Sequence, residues 1–123
     1  MNEKKNVIKH KSFLFAIRII KLYQYLCEVK KEFILSKQLL RSGTAIGALV
    51  RESQNAESKA DFIHKLSIAQ KECDETIYWL ELLKETNYLN EKEFESIFNE
   101  AGELLKMIRS AILTTKSQKR LNA

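Results

Sequence analysis

The sequence predicts an all-α fold, an antiparallel up-down-up-down four-helix bundle formed by residues 1–123 as a single domain. Three observations carry this. The 123 residues contain no proline and only three glycines, which suits long helices and excludes a turn-rich β fold. Apolar side chains recur at steps of three and four in four separate stretches. The connections between those stretches are only a few residues long, and connections that short join antiparallel neighbours. With 45% apolar and 30% charged residues, the chain has the balance of a folded domain rather than a disordered one.

The first helix is predicted over about residues 8–31. Phe13, Ile17, Ile20, Tyr23 and Cys27 mark one apolar face. A second stripe, Phe15, Ile19, Leu22, Leu26 and Val29, runs beside it. One stripe suffices for a bundle core. The second implies that this helix is either central or contacts another subunit; Phe15, Ile19, Leu22 and Leu26 are the candidate interface residues, with Tyr78 as a further interface anchor.

The second helix is predicted over 36–54. Ser36 is a candidate N-cap, with Leu35 and Leu40 spaced as a hydrophobic staple. Leu39, Ile46 and Val50 follow on one face. Between them the run Ser42-Gly43-Thr44-Ala45-Ile46-Gly47-Ala48 is mostly small. Each helical glycine costs about 1 kcal/mol relative to alanine, which close approach of a neighbouring helix would offset. The run lacks the spacing and the preceding strand of a phosphate-binding loop.

The third helix is predicted over 58–86. It starts at Ser58 with Asp61 three residues on, and Phe62, Leu66, Ala69, Cys73, Ile77, Leu80 and Leu83 form its stripe. The fourth, over 90–116, has the clearest start. Asn90 and Glu93 form a capping box, and Leu89 and Phe94 form the staple. The tails Met1–Asn6 and Lys116–Ala123 are expected to fray.

The net charge of +5 is unevenly spread: +6 over residues 1–31, +1 over 32–56, −7 over 57–103 and +5 over 104–123. In an up-down bundle Lys4, Lys5, Lys9 and Lys11 share an end with Lys116, Lys119 and Arg120. That end is a candidate nucleic-acid-binding surface for RNA or DNA phosphates. A merely solvated surface is the alternative. Bases suit the end of the fourth helix, but this does not explain lysines at the start of the first.

Signals for catalysis are weak. Cys27 and Cys73 are isolated and read as reduced core thiols. His64 follows Asp61 by three residues, but the second Glu-x-x-His that a helical di-metal site needs is missing, so neither metal nor cofactor is expected. Glu52, beside Leu49 and Val50, is the carboxylate most open to partial burial, with a structural role favoured over a catalytic one. Glu72 and Glu75 read as an ordinary charged face. Trp79 reads as core. The stretch Phe13–Leu26 is broken by Arg18, Lys21 and Gln24, so no membrane span is expected. With no secretory leader pattern at the N-terminus, the cytoplasm is the expected compartment.

KSFLFAIRIIKLYQYL at Lys11–Leu26, and above all LLRSGTAIGALVRESQNAESKADFIHKL at Leu39–Leu66, closely resemble the bacterial 23S rRNA-intervening sequence proteins. The resemblance covers about two thirds of the chain and extends to Leu83; the fourth helix matches in character only. It implies a four-helix bundle assembled as a homopentamer, and kinship with the accessory variability determinant of diversity-generating retroelements, a basic pentamer that binds nucleic acid and a reverse transcriptase. It brings no catalytic residues, and the family name records gene location rather than ribosome binding. The expectation is a non-enzymatic, oligomeric, nucleic-acid-associated accessory protein. The alternative is a protein-protein interaction module that binds no nucleic acid.

Overall fold

The computed structural model describes residues 3–121, with the side chains of Lys119 and Leu121 outside the described set. Four helices, α1 (Glu3–Glu28), α2 (Leu35–Gln54), α3 (Lys59–Glu85) and α4 (Glu91–Leu121), make up the described residues, with no strand among them. Each packs on its neighbour in sequence, and α1 closes the bundle against α4. This is the up-down-up-down arrangement that the short connections predict.

Helix ends follow from capping chemistry. Ser58 Oγ accepts the Asp61 N–H at 3.0 Å. At α4, Asn90 Oδ1 accepts from Glu93 N at 2.8 Å and Glu93 Oε1 accepts from Asn90 N at 3.0 Å, over the buried staple of Leu89 and Phe94. Asn87, with φ of 68°, turns the chain out of α3 in the left-handed region. Tyr88 and Leu89 then donate back to the Leu83 carbonyl.

The start of α2 differs from expectation. Ser36 is not its N-cap, because helical geometry already begins at Leu35, and Ile34 supplies no side-chain cap. Glu32 caps instead. Its carboxylate accepts the N–H groups of Ile34, Leu35 and Ser36 at 3.2, 3.1 and 2.7 Å, while the Ser36 hydroxyl donates to the Glu32 carbonyl at 2.8 Å. Burial alone would raise this carboxyl. The three backbone donors and the Ser36 hydroxyl outweigh that, and hold it below the usual carboxylate range.

Of the two stripes of α1, the second is the one that fills the core. Phe15, Ile19 and Leu26 are fully buried in the core of a single chain, and Leu22 packs against them. Of the two alternatives for this stripe, the central one accounts for Phe15, Ile19 and Leu26, whose side chains leave no surface for a second subunit, while Leu22 keeps part of its surface. Phe13 and Ile20 lie in solvent, 47% and 40% exposed. The register is set by Ser12, a polar residue buried on the core face because α2 comes so close there. A Cβ on Gly47 would lie 3.2 Å from the Ser12 carbonyl oxygen, and one on Gly43 only 2.8 Å from both γ carbons of Ile19. Hydrophobicity alone cannot rank the stripes, since both are rich in large apolar side chains.

The small residues of α2 thus serve packing, and Ser42 also meets Thr76 of α3 through hydroxyls 2.9 Å apart. Gly102 is different, as no side chain or neighbouring element comes within 4 Å of its would-be Cβ. Gly43→Ala is expected to lower stability by about 1 kcal/mol, overpacking against Ile19 outweighing the helix-propensity gain. Gly102→Ala is expected to raise it by up to about 1 kcal/mol. Urea melts of the two variants check both signs.

Three boundaries also differ from the sequence reading. α1 is helical from Glu3 and stops at Glu28, and α4 continues to Leu121 rather than fraying from Lys116. Polar, proline-free sequence extends a helix that packing has already nucleated.

Candidate nucleic-acid interface

One end of the bundle gathers the start of α1, the end of α2, the start of α3 and the end of α4. Residues 3–15, 48–67 and 108–121, which make up this half, carry eleven basic and four acidic side chains. The other half carries ten basic and twelve acidic. Net charge is therefore +7 against −2. A segregation this large makes a field that pairwise surface contacts do not cancel.

Lys4, Lys5, Lys9 and Lys11 are exposed on the first turns of α1. Lys5 is anchored: its carbonyl accepts from Gln54 Nε2 at 2.7 Å, and its ammonium lies 5.1 Å from the centre of the Phe62 ring. Lys11 pairs with Glu103 of α4 at 3.4 Å, an exposed contact of small energetic weight. Arg51, which sequence reasoning missed, joins this end from α2. Its guanidinium sits 5.2 Å from the centre of the exposed Phe13 ring. The available signal was its position in the last turn of a helix that ends beside the start of α1.

Lys116 and Arg120 are exposed on α4, and Lys119 lies in the same helix with its side chain outside the described residues. The contacts Lys11–Glu103, Arg18–Glu100 at 2.7 Å and Arg18–Ser96 at 2.8 Å set the α1–α4 register. In that register the first turn of α1 is level with the stretch around Ile112. The nine residues beyond it, 113–121, project roughly 13 Å past α1 at 1.5 Å per residue. The structure therefore brings the two groups of bases to one end, but places those of α4 on a projecting helix rather than against the α1 lysines. Between α1 and α4 a shallow groove of about 210 Å³ is bounded by Lys11, Leu14, Phe15, Glu100, Glu103 and Leu104.

The groups that could do covalent chemistry are elsewhere or occupied. Cys73 is buried 3.3 Å from the Ala101 carbonyl oxygen, and burial, with Asp74 adding to it, pushes the thiol up to about 12. Cys27 is half-buried with its sulfur 3.7 Å from Ser36 Oγ. Glu52 is paired with Lys65 at 3.4 Å but is exposed rather than partly buried, because it lies on the outer face of α2. His64 and His10 are exposed. Among the described residues no group of three or more histidines, cysteines or carboxylates is placed to hold a metal ion. Glu72 and Glu75 bind Arg41 across the α2–α3 face, and the Arg41 guanidinium holds the Glu75 carboxyl below its ordinary value. Trp79 is half-buried, its ring nitrogen 3.4 Å from Glu75, and Tyr78 is 54% exposed. Among the described residues no helix is long and apolar enough to cross a membrane.

Comparison with known proteins agrees with the fold. A crystal structure of a protein of unknown function of the S23 ribosomal protein family, from Bacteroides thetaiotaomicron VPI-5482, is 54% identical and superposes with a TM-score of 0.88. The match covers 89% of this chain and 97% of that one. No curated protein matches. The family model for the 23S rRNA-intervening sequence protein matches residues 4–110, from the lysine-bearing start of α1 well into α4. The chain belongs to the 23S rRNA-intervening sequence protein family.

Proposed function

We propose that the chain is a non-enzymatic, oligomeric accessory protein of the cytoplasm that holds RNA or DNA by the phosphate backbone at its basic end. The observation that carries this reading is the charge split between the two halves of the bundle, with exposed lysines on α1 and a basic helix end projecting beside them. Lysines on helix surfaces, without a recognition element that fits a groove, suit sequence-independent contact. Self-association, as a homopentamer by resemblance, is supported by the large apolar side chains Phe13, Leu14 and Ile20 that α1 exposes to solvent.

The test is binding of labelled RNA and duplex DNA across a salt series. Affinity is expected to fall linearly on a logarithmic salt scale, with a slope of about 0.9 for each phosphate neutralised on duplex DNA. Binding that is absent at low salt, or unchanged at high salt, overturns the reading. A protein-interaction module is the second reading, favoured by Tyr78 standing exposed between acidic neighbours on α3. It gains if nucleic acid is not bound.

A further inference from the structure

The end of the bundle opposite the lysine cluster carries its own surface feature. Three of the most exposed large apolar side chains, Val29 at 63%, Phe33 at 56% and Ile34 at 76%, lie within six residues of the α1–α2 connection. This connection is held rigidly. Lys31 takes a φ of 57°, the Glu32 N–H donates to the Leu26 carbonyl at 2.9 Å, and the buried Glu32 carboxylate gathers the N–H groups of Ile34, Leu35 and Ser36. A turn fixed in this way presents its apolar side chains to solvent instead of letting them fold back onto the core. Lys30, Lys31 and Lys37 flank them, all exposed, with Glu28 as the one exposed acid beside them.

At the opposite edge of the same end lies the α3–α4 connection, with the reverse character. Glu81, Glu85, Glu91, Glu93 and Glu95 are exposed there, around the half-buried Tyr88. Lys84 neutralises Glu91 at 3.3 Å and Glu93 is engaged in the α4 cap, which leaves Glu81, Glu85 and Glu95 facing outward against one exposed base, Lys92. One end of the molecule thus holds a basic apolar edge and an acidic edge side by side.

We propose that this end pairs with the same end of a second copy, seating each α1–α2 connection on its partner's α3–α4 connection. A two-fold axis lying in the plane of the end, between the two connections, brings basic edge onto acidic edge twice. Such an isologous contact is closed and self-complementary. The end of a four-helix bundle is small compared with the roughly 800 Å² per partner of a standard interface, so the pairing is weak and concentration-dependent. It rests on the reading that the chain self-associates, and adds a face distinct from the α1 side. The basic ends then point away from each other, so that one assembly presents two polyanion-binding surfaces.

The test is sedimentation mass over a concentration series reaching the high-micromolar range. Ile34→Asp is expected to remove the highest-mass step, halving the limiting mass, while the helical signal is retained, since the side chain is exposed and aspartate suits the N-cap position it occupies. Two charge reversals provide the decisive arm. Lys30→Glu with Lys31→Glu, and separately Glu81→Lys with Glu85→Lys, should each lose the step, since like charges then meet at both edges. An equimolar mixture of the two should regain it. Ile20→Glu reads the α1 side independently. A wild-type chain that is monomeric at every concentration overturns this proposal and the self-association reading together. An oligomer whose mass ignores Ile34→Asp, or a mixture that regains nothing, overturns this proposal alone.

Discussion

Phe15→Ala is expected to lower the unfolding free energy by about 3–5 kcal/mol, whereas Phe13→Ala, two positions away on the same helix, is expected to change it by less than about 1 kcal/mol. Phe15 is only 1% exposed and sits in the core, so truncation leaves a cavity lined by neighbours that are themselves fixed. Phe13 is 47% exposed and has the Arg51 guanidinium over its ring, so its truncation removes one surface cation–π interaction. The pair reads directly which stripe of α1 faces inward. Denaturant melts with unchanged m-values check it. Comparable destabilisation at both positions, measured in dilute monomer, would show that the stripe assignment is wrong.

The second large effect is at Glu32. Glu32→Ala leaves three N–H groups at the start of α2 without their acceptor, and is expected to destabilise by about 2 kcal/mol. The sign with pH follows from the carboxyl being held below its usual range in the folded chain. Its contribution is fully present above the unfolded value of about 4.3 and is lost as pH falls through the depressed folded value. The stability gap between wild type and Glu32→Gln should therefore be constant near neutrality and shrink in acid below that unfolded value. A gap that persists unchanged through this window would mean that the cap does not depend on charge. The same substitution loosens the connection that presents Phe33 and Ile34, so it should also weaken any contact made by that end.

Much of the fold was legible because local and global signals agree. Asn90, Glu93, Leu89 and Phe94 announce the start of α4 through residue types whose hydrogen bonds need no tertiary context. Ser58 with Asp61 does the same for α3. The small run of α2 signals a close approach, though not which residue fills it; Ile19 and Ser12 do. Three features were not legible. Glu32 caps from outside the helix, at a spacing that no short capping pattern describes. The inward stripe of α1 is chosen by fit to Gly43 and Gly47, and neither hydrophobicity nor period encodes fit. α4 runs on through Thr115 and Lys116 because nothing in the tail breaks it. For the candidate interface, charge segregation could be counted along the chain once the topology was known. The projection of Lys116 and Arg120 beyond α1 could not, since it depends on the α1–α4 register set by Arg18 and Lys11.

Charge reversal in the two halves, compared in one binding assay, tests the central claim most directly. Lys9→Glu with Lys116→Glu alters the basic end, and Lys71→Glu with Lys92→Glu alters the other half by the same number of charges, all at exposed positions. The account predicts that the first pair lowers affinity for RNA and duplex DNA at low salt. It also makes the salt dependence on duplex DNA shallower, by about 0.9 for each phosphate that is no longer neutralised. The second pair should leave that slope in place. Equal weakening by both pairs would show that binding follows net charge rather than the basic end, and unchanged binding in both would contradict the account.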